Sequence, residues 1–106
     1  MDPFTNPFRT LLAQPSIPLG TWLMSGTAST AEAMGCLGFD WLVVDMEHVH
    51  IDYKDAYHIL QAIAGTRSTP VIRLAWNEIV TVKRALDIGA QTLMFPFVQN
   101  ADDARR

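Results

Sequence analysis

The stretch Phe39-Asp40-Trp41-Leu42-Val43-Val44-Asp45-Met46-Glu47-His48 decides the fold. Trp41 to Val44 is an apolar run with no alternation, as expected of a parallel strand covered on both faces. The residues after it place two carboxylates and an imidazole within four positions, where the strand runs out into a loop. In α/β folds, the C-terminal ends of the strands share one face, and that face carries the chemistry.

Outward from this strand, helical and strand patterns alternate. Asn6-Pro7 reads as an N-cap followed by proline in the first turn. Phe8, Leu11 and Leu12 then predict a short helix to about residue 13, ended by Pro15 and Pro18. Residues 19–24 form a first strand. Ser29 or Thr30 is expected to cap a helix over 31–37, with Gly38 beyond its end. Asp52 caps a third helix with Asp55 at its third position, and Ala56, Ile59, Leu60 and Ile63 make its apolar stripe. Residues 70–74 are the third strand. Asn77-Glu78 opens a fourth helix with Ile79, Val82 and Leu86 inward, closed by Gly89. Residues 91–95 are the fourth strand, and Asn100 caps a helix over 101–104.

Strands separated by helical crossovers predict a parallel sheet. The segment Ser25-Gly26-Thr27-Ala28-Ser29 holds a single glycine, so no Gly-x-Gly-x-x-Gly follows the first strand and a dinucleotide fold is disfavoured. The fold class expected is α/β, the N-terminal half of a (β/α)8 TIM-type barrel with four parallel strands, since a whole barrel takes about 250 residues. Residues 1–106 are thus expected to be one partial barrel domain whose remainder lies beyond residue 106. Its unpaired sheet edges predict poor stability or self-association for the segment alone.

Of 106 residues, 49% are apolar and 18% charged, which is a globular rather than a disordered composition. The net charge is −3 and the basic residues are scattered, which argues against nucleic acid and anionic membranes as partners. No apolar run approaches the roughly 18 residues of a membrane helix. Residues 1–4 carry an acid and a proline where a signal peptide would be basic and then apolar. A cytoplasmic protein is expected. Cys36, the only cysteine, reads as a buried structural thiol in helix packing.

Three strand ends are polar. The second offers Asp45, Glu47 and His48, the third Arg73, and the first Trp22 and Ser25. Met94-Phe95-Pro96 at the fourth supplies shape. Such a rim suits a small anionic substrate. Arg binds a carboxylate or an enolate oxygen through charge-assisted hydrogen bonds. His carries protons near neutral pH. Asp and Glu hold a divalent cation directly or through its waters. Two plainer roles stand beside these: Arg73 as a structural ion-pair partner and Asp45 as a loop cap. His58 reads as a surface residue of its helix, and His48-Val49-His50 as a weak metal pair. Asp87 lies in the last turn of a helix, where the dipole disfavours a negative charge. Lys83 and Arg84 partly offset this, so Asp87 is either a solvated acid compensated by Arg84 or one held for a partner elsewhere. That helix end belongs to the bottom of a barrel, so a catalytic partner would more easily belong to a neighbouring subunit.

Four segments together resemble a known family. They are Gly20-Thr21-Trp22-Leu23, the stretch from Gly38 through His48, Pro70-Val71-Ile72-Arg73, and Ala85-Leu86-Asp87-Ile88-Gly89-Ala90-Gln91. The likeness is to the HpcH/HpaI aldolases, the metal-dependent (class II) 2-oxo acid aldolases of the 4-hydroxy-2-oxoheptanedioate aldolase kind, and runs from about Asn6 to Arg106. The resemblance implies a homo-oligomeric (β/α)8 barrel with a divalent ion, Mg²⁺, Mn²⁺ or Co²⁺. It implies reversible retro-aldol cleavage of a 4-hydroxy-2-oxo acid to pyruvate and an aldehyde. Arg73 would bind substrate and stabilise the pyruvate enolate. His48 would handle the proton of the 4-hydroxyl, and Asp87 would orient that His across a subunit boundary. Asp45, Glu47 and Trp22 would support substrate and the metal's waters. The direct metal ligands, a Glu and an Asp on later strands, are expected beyond Arg106, and the isolated 106 residues are expected to be inactive. Two alternatives stand beside this: a non-catalytic half-barrel that assembles with itself or another chain, and a lyase of the citrate lyase β type.

Overall fold

The computed structural model describes residues 5–106, so the signal-peptide reading of residues 1–4 lies outside the described residues. The elements alternate as α1 (Pro7–Leu12), β1 (Gly20–Leu23), α2 (Ala28–Gly35), β2 (Trp41–Asp45), α3 (Tyr53–Ala64), β3 (Thr69–Arg73), α4 (Ile79–Asp87), β4 (Leu93–Met94) and α5 (Ala101–Arg105). All pairings are parallel, and the sheet order is β1-β2-β3-β4. A doubly wound sheet reverses its strand order at a switch point. Sequential order without reversal is that of a sheet winding toward a closed barrel.

Strand side chains alternate between faces. Leu23, Leu42, Val44, Ile72 and Leu74 point to the side packed by Ala31, Ile59, Ile63 and Ala85 of the helices, and these form the core. The opposite face carries Trp22, Trp41, Val43, Asp45, Val71 and Arg73, brought into rows by the register Trp22↔Val43↔Val71 and Asp45↔Arg73. On this face, Phe8 of α1 lines an apolar hollow of about 240 Å³ with Trp41, Val71 and Met94. Asn6 ties α1 to the start of the fourth strand. Its Oδ1 accepts from Phe8 and Arg9 N–H and from the Thr92 hydroxyl, and its Nδ2 donates to the Gln91 carbonyl.

The third helix follows its sequence reading closely. Asp52 and Asp55 form a reciprocal capping box, with Asp55 N–H donating to Asp52 and Asp52 N–H to Asp55. Ala56, Ile59 and Ile63 are buried as expected.

Four expectations are corrected. The second helix starts earlier, capped by Thr27, whose Oγ1 accepts from Thr30 N–H. Ser29 and Thr30 therefore lie inside it. It ends at Gly35, so Cys36 is the residue past its end and is exposed rather than buried. Gly35 stays as the contact residue, because a Cβ there would press on the Thr66 side chain. On α4, Ile79 (81% exposed) and Leu86 (50%) do not face inward; Ala85 does. Successive helical residues are turned by about 100°, so putting Ala85 on the sheet swings Leu86 away. Finally, Arg84 does not compensate Asp87. Its guanidinium lies over the Tyr53 ring at 4.4 Å, and Asp87 pairs with Lys83, the other cation expected to offset it, at 3.6 Å.

Candidate active site

The site begins with a register. Because β2 and β3 are parallel neighbours with Asp45 opposite Arg73, the last residues of the two strands face each other on one side of the sheet. Arg73 donates from Nε to Asp45 Oδ1 at 3.2 Å and from Nη2 to Oδ2 at 2.5 Å, a bidentate pair. Asp45 is 1% exposed. Its Oδ1 also accepts backbone N–H bonds from Glu47 at 2.8 Å and His48 at 3.2 Å. Asp45 thus shapes the 45–48 turn and anchors the guanidinium. The carboxylate makes both the loop-cap bonds and the structural ion pair.

Glu47 links the pair to the imidazole. Its Oε1 lies 3.3 Å from Arg73 Nη1 and 3.4 Å from His48 Nε2. The His48 side chain is 65% exposed and the Glu47 side chain 9%, so the imidazole faces solvent on the rim while the acid behind it is held in place. Trp22 closes one side of Arg73, with Cζ 5.6 Å from its ring centre. Ser25, at the end of the first strand, is engaged in a hydroxyl cluster with Thr27 and Thr30.

Burial by itself would push the Asp45 carboxyl up. The Arg73 hydrogen bonds, the Glu47 and His48 N–H groups and the Arg73 charge outweigh this and hold it below the ordinary carboxylate range. The same hydrogen bond to Asp45, against burial and aided by the charges of Asp45 and Glu47, pushes Arg73 up. Asp45 is therefore a fixed anion and Arg73 a fixed cation across the working pH range. Neither is a proton donor or acceptor there.

The structure brings together Trp22, Asp45, Glu47, His48 and Arg73. It does not bring Asp87 to them. Asp87 ends α4, whose C-terminus lies at the opposite end of the sheet, and it is exposed. His58 is also apart, on the exposed face of α3, with Nδ1 3.2 Å from Gln61 Oε1. No group of three or more metal-ligating side chains occurs among the described residues. Asp45 has both oxygens committed to Arg73, and Glu47 Oε1 is shared by Arg73 and His48. This donor set does not fit a direct metal seat. Sequence reasoning overlooked Gly20 and Trp41 as supports of the site. A Cβ on Gly20 would overlap the Trp41 indole, and the two are cross-strand partners. No local sequence signal links residues on different strands; only the register does.

The sequence profile of the HpcH/HpaI aldolase/citrate lyase family matches residues 19–106. The chain belongs to that family. As a member of the HpcH/HpaI family it is 59% identical over 95 residues to a 2-dehydro-3,6-dideoxy-6-sulfogluconate aldolase of Pseudomonas putida, covering 90% of this chain and 37% of that protein. It is 46% identical over 102 residues to a 2-keto-3-deoxy-L-rhamnonate aldolase of Shigella dysenteriae, covering 96% of this chain and 38% of the relative. An HpcH/HpaI family protein of known structure from Burkholderia cenocepacia superposes with a TM-score of 0.87 at 46% identity, over 94% of this chain and 40% of that one. The chain thus spans less than half the length of the relatives it matches. The α/β half-barrel expected from sequence is the observed fold, and at family level the relatives are lyases. No described helix is long and apolar enough to cross a membrane.

Proposed function

We propose that these residues supply the substrate-binding and proton-transferring side of a divalent-metal aldolase that cleaves a 4-hydroxy-2-oxo acid to pyruvate and an aldehyde. One observation carries the reading: Arg73 is locked by buried Asp45 at the strand ends, with exposed His48 beside it on the same rim. The names of both aldolase relatives denote sugar acids with an oxo group at carbon 2 and no hydroxyl at carbon 3. A 2-oxo-3-deoxy acid of that class is the substrate proposed here.

Arg73 uses part of its fork on Asp45 and Glu47 and turns its remaining N–H groups to the carboxylate and enolate oxygen of the pyruvate unit. His48 takes the proton of the 4-hydroxyl as the carbon–carbon bond breaks. Glu47 keeps the imidazole on the rim. A Mg²⁺, Mn²⁺ or Co²⁺ ion would act as Lewis acid toward the 2-oxo acid, with its direct ligands outside these 106 residues. A homo-oligomer in which Asp87 reaches a neighbouring subunit's His48 fits the position of Asp87 at the far end of the sheet.

The test is to supply Mg²⁺ or Mn²⁺ and a 2-oxo-3-deoxy acid to the 106 residues alone and to a chain extended to the relatives' length. Pyruvate should appear with the extended chain and not with the short one. Activity that survives both His48→Ala and Arg73→Ala overturns the role assignment. No pyruvate from the extended chain with any such acid, together with self-association, is the outcome of the non-catalytic half-barrel.

A further inference from the structure

Two in-plane hydrogen bonds fix one edge of the Arg73 guanidinium against Asp45. Its tilt about that edge is left to its other two neighbours, Glu47 Oε1 at 3.3 Å from Nη1 and an aromatic ring. The tilt decides where the uncommitted N–H groups point, and a planar fork recognises a carboxylate only in the right plane. The surface that closes one side is the Trp22 ring, 5.6 Å from Arg73 Cζ. Trp22 does not stand alone. It meets Trp41 edge to face, with ring centres 6.3 Å apart at 79°. Trp41 in turn occupies the space where a Cβ on Gly20 would lie. Gly20, Trp22 and Trp41 project from the same face of β1 and β2, through the register Gly20↔Trp41 and Trp22↔Val43. A column therefore runs from Gly20 through two indoles to the guanidinium.

We infer that Trp22 is the positioning residue that sets the plane of Arg73 for an oxo-acid carboxylate, held in turn by Trp41 over Gly20. The inference rests on the proposed aldolase reading and deepens it, since Trp22 acts through Arg73 rather than on the reacting atoms. A cation–π contact of this kind carries a threefold to thirtyfold effect, about 0.7 to 2 kcal/mol.

The experiment uses the active, metal-loaded protein with Trp22→Leu and Trp22→Phe. Trp22→Leu should raise KM for the 2-oxo acid about threefold to thirtyfold while kcat changes much less, and Trp22→Phe should restore most of it. In an Arg73→Lys background, which keeps a cation at the site but not the planar fork, Trp22→Leu should add little. The Arg73 Nε–Hε resonance gives a readout independent of activity. Ring-current shielding should be present in the wild type, kept in part by Trp22→Phe and lost in Trp22→Leu. Multiplying KM effects in the Arg73→Lys background would mean that Trp22 touches substrate directly and would overturn the inference. So would an Arg73 resonance that ignores Trp22. A protein that cleaves no oxo acid, but whose Arg73 resonance follows Trp22, overturns the aldolase reading and leaves the column standing. Should Trp22→Leu not fold, the Trp22→Phe resonance and KM decide alone.

Discussion

Arg73 and Asp45 join the ends of two neighbouring strands through a bidentate contact in which the carboxylate is wholly buried and the guanidinium largely so. Removing one partner of a buried pair strands the other, at about 3–5 kcal/mol. Arg73 keeps 22% of its side chain exposed, which places the cost of losing Asp45 below that range. Losing Arg73 strands the buried anion. Arg73→Met should therefore destabilise by about 3 kcal/mol or more, and Asp45→Asn by less. The double substitution should recover part of the loss. Urea unfolding of the four proteins measures this cycle, and simple additivity would contradict the coupling.

The same pair sets a pH dependence. The folded Asp45 carboxyl titrates below its unfolded value of about 3.9. Its contribution to stability is therefore fully present above about pH 4 and fades as the pH falls through the folded value. Wild type should lose stability on acidification faster than Asp45→Asn, so the two unfolding curves should converge at low pH. Curves that stay parallel from pH 6 downward would show that Asp45 does not contribute this way.

Gly20 owes its place to the indole of Trp41, not to a special backbone angle. Gly20→Ala should destabilise by about 1–3 kcal/mol, the usual cost of overpacking, and Trp41→Leu in the same chain should relieve the clash. Thermal unfolding of the single and double variants is the check, and equal losses in both would remove the steric explanation.

The residues differ in how far their roles were legible in the sequence. The capping box of α3 is local, so Asp52, Asp55 and the stripe Ala56, Ile59, Ile63 could be read from spacing. Asp45, Glu47, His48 and Arg73 were legible because a polar residue ending an apolar strand must lie on the rim. Their mutual contacts were not, since the Asp45↔Arg73 register is set by sheet pairing across 28 positions. Cys36 lies outside the packing because the helix stops at Gly35, which itself takes the close contact with Thr66 and leaves the thiol past the helix end. Ile79 and Leu86 were misplaced because the helix turns its small residue, Ala85, toward the sheet, a choice that periodicity alone does not reveal.

His48 should separate activity from stability. Its side chain is largely exposed and its contact with Glu47 is peripheral, so His48→Ala should change the unfolding midpoint very little. As the proposed proton carrier it should cost about 10²–10⁴ in kcat. Pyruvate release and denaturation measured on the same preparation distinguish the two effects. A large fall in stability without loss of turnover would reverse the assignment.

Asp87 offers the sharpest test of assembly. It is exposed and, among the described residues, pairs only with Lys83 one turn earlier, a contact worth less than about 1 kcal/mol. Asp87→Asn should therefore leave stability unchanged. If Asp87 of one subunit orients His48 of another, this substitution should still lower turnover strongly. His48→Ala and Asp87→Asn would each be inactive as homo-oligomers. Co-assembled in equal amounts, about a quarter of the sites should receive an intact His48 and an intact Asp87 from adjacent subunits. Activity should then reappear after mixing through reversible dissociation. Were both residues of a site to come from one chain, no mixed site could hold an intact pair and the mixture would stay inactive.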